Sequence, residues 1–171
     1  ERPITIYLCI PKNRVKADGA VLNLLLAQHI EKMLQEEPKA GELPVLLMLD
    51  EFAQLGRMEP IINAIEIGRS YGIQTWILCQ SMSQIVEKYG REGATTLLNS
   101  CAVENWMRIS FDDAKMLADR LGTQRPLFSD NKREPSFEVD ELTGVDFREH
   151  ILTFASGEKP LKLKKLFYCN K

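Results

Sequence analysis

The sequence predicts an α/β domain built on a mostly parallel sheet that is flanked by helices. First, strand-like and helix-like segments alternate along residues 1–121, which is typical of parallel strands joined through helices. Second, residues 45–49 form a continuous apolar run, as in strands buried on both faces. Third, residues 150–155 and 161–168 read as a C-terminal antiparallel hairpin that extends an edge of this sheet.

The bulk properties fit one domain, or most of one, of ordinary globular composition. The chain has 171 residues, of which 44% are hydrophobic and 27% charged. Its net charge of −2 lacks the basic excess of a broad nucleic-acid-binding face, so any DNA contact must be local. No apolar run approaches the roughly 20 residues of a membrane span. We therefore expect no membrane contact by this piece, which begins at Glu1 and reads as excised from a longer protein.

The first elements follow from local patterns. Residues 4–10 have the β-branched content of a strand, and Pro11 ends it. Asp18 is a candidate N-cap for a helix over residues 19–37, whose apolar residues recur every three or four positions. A loop then leads to the apolar run at 45–49.

The middle of the chain continues the alternation. A helix is predicted over residues 58–71, with Gly72 positioned to end it, and a strand over residues 73–79. The next helix runs over residues 83–98 and is interrupted at Gly90.

The last third is less regular. Residues 102–111 alternate weakly, and their pairing as a strand is uncertain. Asp112 is a candidate cap for a helix over residues 113–121, which Gly122 stops. Residues 123–138 are polar and are predicted to form an exposed loop.

Two adjacent carboxylates, Asp50 and Glu51, directly follow the apolar run at 45–49. Burying two like charges side by side is costly unless a cation or hydrogen bonds compensate. This is the arrangement of a Walker B segment, in which Asp50 holds Mg²⁺, directly or through water, and Glu51 polarises the water that attacks a nucleoside triphosphate. The alternative is a strand that simply ends in a polar turn.

Two further polar residues have candidate roles. Gln80 follows the next predicted strand, so it is expected beside the carboxylates, where it is suited to contact a γ-phosphate or the attacking water; it is otherwise a turn former. Arg69 lies near the end of the intervening helix. It is either an arginine finger for a neighbouring subunit or a cation that stabilises the helix dipole.

Four ordered blocks resemble one protein family. They are Leu-Leu-Met-Leu-Asp-Glu-Phe-Ala-Gln-Leu-Gly (46–56), Ile-Gly-Arg-Ser-Tyr-Gly-Ile (67–73), Cys-Gln-Ser-Met-Ser-Gln-Ile (79–85) and Lys-Tyr-Gly (88–90). In order and spacing they resemble the coupling proteins of type IV secretion and bacterial conjugation, the TraG/TraD-type group of FtsK/HerA-like ATPases. The likeness extends to the closing strands.

The resemblance implies a RecA-like fold, ATP and Mg²⁺ as cofactors, and roles for four residues. Asp50 and Glu51 are the Walker B pair, Gln80 is the strand-end glutamine, and Arg69 is the arginine of the Gly-Arg-x-x-Gly block. It also implies a homo-hexameric motor on the cytoplasmic side of the bacterial inner membrane. Such a motor feeds relaxase–DNA complexes or effector proteins to components of a secretion channel.

The likeness has a gap, because no Gly-x-x-x-x-Gly-Lys-Ser/Thr phosphate loop occurs in these 171 residues. We therefore interpret residues 1–171 as the C-terminal part of a motor domain, without its Walker A half and inactive alone. Two alternatives stay open at this point: a degenerate ATPase-like scaffold for protein interactions, and another FtsK/HerA-like DNA motor such as a DNA-end-processing helicase.

Overall fold

The computed structural model describes residues 3–124, 134–155 and 158–167. The chain divides into two compact units, residues 1–100 and residues 101–171. The confirmed fold class is α/β, with a parallel strand pair in unit 1 and an antiparallel sheet in unit 2.

The described part of unit 1, residues 3–100, contains three helices, two strands and three 3-10 turns. The helices and strands are α1 (Val15–Met33), β1 (Val45–Leu49), α2 (Glu59–Ile67), β2 (Ile73–Ile77) and α3 (Met82–Ser100). The 3-10 turns are Lys12–Arg14, Phe52–Leu55 and Gly68–Tyr71.

β1 and β2 pair in parallel, in a register that places Leu49 opposite Ile77. The prediction of two neighbouring parallel strands is therefore confirmed. The prediction that β1 is buried on both faces is wrong for the described residues, since Val45, Leu46 and Met48 are each more than two-fifths exposed. In the described chain, β1 has only one strand neighbour, β2. Several apolar side chains of β1 are therefore left exposed to solvent.

The strand predicted at residues 4–10 does not form. Ile4 and Tyr7 are 84% and 82% exposed, and the segment has no regular secondary structure. High β-propensity makes a strand only where a neighbouring backbone completes the hydrogen-bond ladder, and no described segment pairs with these residues.

The helices of unit 1 occur where the periodicity predicts them, with shifted ends. α1 begins at Val15, so Asp18 lies in its first turn and pairs with Arg14 at 2.8 Å instead of capping the helix. Gly72 has a φ of 71° and ends the 3-10 turn that follows α2. Gly90, with φ 73° and ψ 172°, breaks α3 as predicted, because only glycine adopts such a conformation readily.

Unit 2 contains β3 (Val103–Trp106), α4 (Phe111–Leu121), β4 (Thr123–Gln124), β5 (Glu134–Pro135), α5 (Val139–Thr143), β6 (His150–Ala155) and β7 (Leu161–Lys164). A 3-10 turn, Asp146–Glu149, precedes β6. The predicted loop at 123–138 falls partly outside the described residues; its described ends pair as β4 and β5.

The C-terminal hairpin forms, but it does not extend the sheet of β1 and β2. β6 pairs with β7 and with β3, so the three strands make a separate antiparallel sheet. Residues 102–111 alternate only weakly, yet they contain a strand, β3. This strand pairs with β6 of the hairpin. Its half-buried Trp106 packs against a core of Ala114, Leu117, Leu142, Phe147 and Leu152.

The cap predicted at Asp112 is wrong by two residues. Ser110 precedes α4, and its hydroxyl accepts a hydrogen bond from the Asp113 amide at 3.2 Å. Asp112 and Asp113 instead fill the first turn, where a negative charge is favourable to the helix dipole.

Candidate functional site

The candidate site is built on the tight turn that follows β1. Glu51 has φ 48° and ψ 43°, in the left-handed region, and its amide donates to Oδ1 of Asp50 at 3.0 Å. The Asp50 side chain is exposed and Glu51 partly so. A non-glycine residue in this conformation is strained, and such strain concentrates at functional sites.

Gln80 lies beside this turn, as the sequence predicts. The Leu78 amide donates to the Leu49 carbonyl at 3.0 Å, and the Phe52 amide donates to the Leu78 carbonyl at 3.0 Å. These two bonds hold the ends of β1 and β2 together beyond their last paired residues. Gln80 Nε2 then donates to Glu51 Oε1 at 3.3 Å. The structure thus brings Asp50, Glu51 and Gln80 to one edge.

A second amide reaches the same carboxylate. Gln54, in the 3-10 turn Phe52–Leu55, donates from Nε2 to Glu51 Oε2. The two oxygens of Glu51 therefore each accept one side-chain amide. Sequence reasoning missed Gln54, although its spacing of three residues from Glu51 in a helical turn places it within reach.

Buried aromatic rings fix the far side of the turn. Phe52 is fully buried and stacks on Tyr89 of α3, with ring centroids 5.3 Å apart and planes 17° apart. The Tyr89 hydroxyl donates to the Gly56 carbonyl at 3.0 Å and accepts from the Met58 amide at 3.2 Å. Burial raises the pKa of Tyr89 above its usual value.

These contacts explain why the blocks of residues 46–56 and 88–90 occur together. The ring of Tyr89 contacts Phe52, the first residue of the 3-10 turn, and its hydroxyl binds Gly56 and Met58 just after that turn. Asn23 of α1 adds a longer hydrogen bond, 3.4 Å from Nδ2 to the Leu55 carbonyl. In the sequence, Tyr89 is distinguished only as part of the Lys-Tyr-Gly block, and no role is predicted for it.

Arg69 does not join this group. Its 3-10 turn precedes β2, at the edge of the sheet opposite Gln80. The chain from Gly72 to Cys79 spans on the order of 20 Å at the usual strand rise. The exposed Arg69 side chain is therefore at the wrong edge to serve the carboxylates of its own strand.

The glycines around Arg69 have structural reasons. A Cβ on Gly68 would lie 3.0 Å from Cβ of Ile73, and Gly72 has a positive φ with Pro38 close by. Within the Gly-Arg-x-x-Gly block, packing thus accounts for both glycines but places no such demand on the exposed arginine.

The donor set at Asp50 and Glu51 fits Mg²⁺ of the kind that binds with nucleotide. Mg²⁺ in such sites takes one or two carboxylates and completes its shell with water and phosphate oxygens. Within residues 3–124, 134–155 and 158–167 no cluster of three or more His, Cys, Asp or Glu forms a cage for a metal. The residues therefore suit an ion shared with a substrate.

Within the residues that the structure describes, no helix is long and apolar enough to span a membrane.

Comparison with known proteins points to one family. Residues 1–126 match the family model described as type IV secretory system conjugative DNA transfer. Protein VirD4 of Rhizobium rhizogenes is 25% identical over 181 aligned residues, covering 95% of this chain and 27% of that protein. The type IV secretion system-coupling protein VirD4 of Bartonella quintana is 27% identical over 118, covering 68% of this chain and 18% of that protein.

The fold has solved counterparts. The plasmid coupling protein TrwB in complex with ADP and Mg²⁺ superposes with a TM-score of 0.79 at 19% identity, covering 95% of this chain and 40% of that one. At 19% identity, this likeness to TrwB establishes the fold alone. The chain spans about a quarter of the length of the VirD4 protein from Rhizobium rhizogenes.

Proposed function

The chain belongs to the type IV secretory system conjugative DNA transfer family, and we propose that it is part of the motor domain of an ATP-driven coupling protein. The parent would recruit relaxase–DNA complexes or effector proteins and feed them to a secretion channel. This proposal is supported by the family match together with the site geometry at the end of β1.

The observation that carries the proposal is the position of the Glu51 carboxylate. It is held in a left-handed turn between the amides of Gln54 and Gln80. A carboxylate fixed by two donors is oriented before substrate arrives, which is how a water-polarising residue gains its effect. We assign Glu51 to polarise the attacking water, and Gln80 to orient that water or the γ-phosphate.

Asp50 is assigned to hold, through a water molecule, the Mg²⁺ that accompanies the nucleotide in the parent. Mg²⁺ supplies charge neutralisation at the phosphate oxygens when it is bound. The assignment is supported by the exposure of Asp50 at the strand end and by its hydrogen bond from the Glu51 amide, which orients one carboxylate oxygen.

Arg69 is assigned to a neighbouring subunit's nucleotide. Its location at the opposite edge of the sheet supports action in trans, because it lies too far from its own Glu51 and Gln80 to meet the same phosphate. This role requires an oligomer, for which we propose a homo-hexamer. An arginine finger supplied across an interface stabilises the charge that develops on the transferred phosphoryl group.

We further propose that residues 1–171 are the C-terminal part of a RecA-like motor domain whose Walker A half lies elsewhere in the parent protein. The parent would act at the cytoplasmic side of the bacterial inner membrane. The scaffold alternative, a degenerate ATPase-like domain, has no observation in its favour, since the carboxylates and both amides are in place. The family match supports a coupling protein over other FtsK/HerA-like motors.

The test is DNA or effector transfer in cells whose coupling protein carries Asp50→Asn. Loss of transfer, together with loss of Mg²⁺-dependent ATP hydrolysis by the purified parent, supports the motor. Normal transfer by a variant that no longer hydrolyses ATP favours the scaffold. Asp119→Asn, an exposed position of α4, serves as the matched control.

A further inference from the structure

The two side-chain amides that bind the Glu51 carboxylate differ in how they are attached to it. Gln80 follows the neighbouring strand, 29 positions along the chain, and its Nε2 donates to Glu51 Oε1 at 3.3 Å. This separation lies just beyond the usual range of roughly 2.7–3.2 Å for an N–H···O hydrogen bond. Gln54 is only three positions away, and its Nε2 donates to the other oxygen, Oε2. One bond therefore joins two strand ends, and the other stays within a single turn.

The turn that carries Glu51 and Gln54 is anchored as one unit. The Gln54 backbone amide donates to the Glu51 carbonyl at 2.8 Å, and side chains three residues apart in a 3-10 turn lie above one another. Between them, Phe52 and Ala53 are 0% and 4% exposed, so the backbone of the turn is packed into the core. The Gln54 side chain itself is exposed. Gln54 therefore stays beside Glu51 in any motion of the turn, whereas Gln80 belongs to a different segment.

The longer of the two contacts is the one that an attacking water can replace. To be polarised, the water must donate a hydrogen bond to an oxygen of Glu51. Displacing Gln80 from Oε1 costs less than displacing Gln54 from Oε2, because the contact of Gln80 is longer and joins separate segments. The displaced amide of Gln80 then faces the same water or the γ-phosphate, which is its role under the proposed function.

A neutral amide is suited to hold a carboxylate that must keep its charge. An N–H donor favours the ionised form of a carboxyl group, and an amide brings no positive charge, unlike Lys or Arg. Arg57, the next cation along the chain, pairs with Glu59 instead. Gln54 thus orients Glu51 without neutralising the charge that polarises the water.

We propose that Gln54 is the positioning residue that holds Glu51 through Oε2 during turnover. Oε1 then receives the attacking water, and Gln80 is released to orient that water or the γ-phosphate. This inference rests on the proposed function of Glu51 and adds a division of roles between the two glutamines. Gln54 acts through Glu51 and does not itself contact the nucleotide.

Steady-state ATP hydrolysis by the intact parent measures this role. Gln54→Met keeps the length of the side chain and removes its donors, so kcat should fall by about tenfold, within the scale for a misplaced reacting group, with KM for ATP unchanged. Gln54→Glu should lower kcat further, because a like charge beside Glu51 disfavours its ionised form. Gln28→Met, at an exposed position of α1, is the matched control and should leave kcat unchanged.

Two further readouts separate positioning from a general effect on structure. In a Glu51→Gln background, Gln54→Met should cause no further loss of kcat, because its effect passes through the Glu51 carboxylate. In the 171-residue chain, the NMR resonances of the Gln54 side-chain amide should shift during an acid titration as Glu51 takes up a proton. Glu51→Gln should abolish that shift, although Asp50 still titrates.

Three results would each overturn the positioning role. They are turnover by Gln54→Met equal to that of the unaltered parent, a loss of kcat that persists in full in the Glu51→Gln background, and Gln54 amide resonances that do not move with acid. Normal turnover by Glu51→Gln, by contrast, overturns the proposed function of Glu51 even where the Gln54 resonances follow its titration.

Discussion

The side-chain amide of Gln80 donates to the Glu51 carboxylate at 3.3 Å, and the two residues stand at the ends of neighbouring parallel strands. Through this bond the residue that follows β2 orients the residue that follows β1. The sheet register, which places Leu49 opposite Ile77, makes the contact possible.

Replacing Gln80 should therefore impair turnover more than binding. In the intact parent, Gln80→Ala is expected to lower kcat by about 10²-fold, the scale for one positioned donor, with little change in KM for ATP. Steady-state ATPase assays measure this. Gln74→Ala, an exposed glutamine of β2, is the control; equal effects of the two substitutions would contradict a site role for Gln80.

Tyr89 should stabilise the turn through its hydroxyl. Tyr89→Phe keeps the ring that stacks on Phe52 but removes the hydrogen bonds to Gly56 and Met58. We expect the free energy of unfolding to fall by about 1–3 kcal/mol, since a buried amide loses its partner. Urea denaturation measures this, and Tyr7→Phe, at a position 82% exposed, should change it little.

If Tyr89→Phe and Tyr7→Phe have the same stability, the hydroxyl does not anchor the turn. The measurement is independent of ATP hydrolysis, so it tests the architecture of the site separately from its proposed chemistry.

The chain of residues 1–171 alone should bind ATP weakly. It contains no Gly-x-x-x-x-Gly-Lys-Ser/Thr sequence, so it lacks the amides and the lysine that hold the β- and γ-phosphates in such proteins. Calorimetry with Mg-ATP at millimolar concentration checks this. A micromolar Kd abolished by Asp50→Ala would show that this half of the site suffices.

Arg69 should act only in an assembled oligomer. Arg69→Ala is expected to leave the fold intact, because the side chain is exposed, and to abolish oligomer-dependent ATPase activity of the parent. An arginine finger contributes 10³-fold or more, on the order seen in other NTPases.

Mixing experiments separate this role from stabilisation of a helix end. Subunits carrying Arg69→Ala, mixed with subunits carrying Asp50→Ala, should recover some activity, because an interface with an intact Asp50 and an intact Arg69 can form. If every mixing ratio stays at the level of the single variants, action in trans loses its main support.

The local sequence was sufficient to predict which edge of the sheet carries the candidate site. An apolar run that ends in Asp50 and Glu51 and a second strand that ends at Gln80 require only that the strands pair in parallel, which they do. Gly72 and Gly90 were also predictable, because positive φ restricts the choice of residue.

Features that depend on distant partners were not predictable. Residues 4–10 have the composition of a strand, but no strand of the described chain pairs with them. By contrast, β3 has only a weak strand pattern in its sequence, and it forms a strand because it pairs with β6. The roles of Tyr89 and Gln54 depend on how α3 and the 3-10 turn approach Glu51, which residue spacing alone does not give.

The central claim is that Glu51 is the residue that polarises water for ATP hydrolysis. Glu51→Gln in the intact parent preserves the shape of the side chain and removes its charge. The ATPase rate of this variant, measured alongside its affinity for ATP, tests the claim most directly. We predict near-normal ATP binding and a rate reduced by about 10²–10⁴-fold, the scale for a positioned base. Turnover close to that of the unaltered parent would contradict the account.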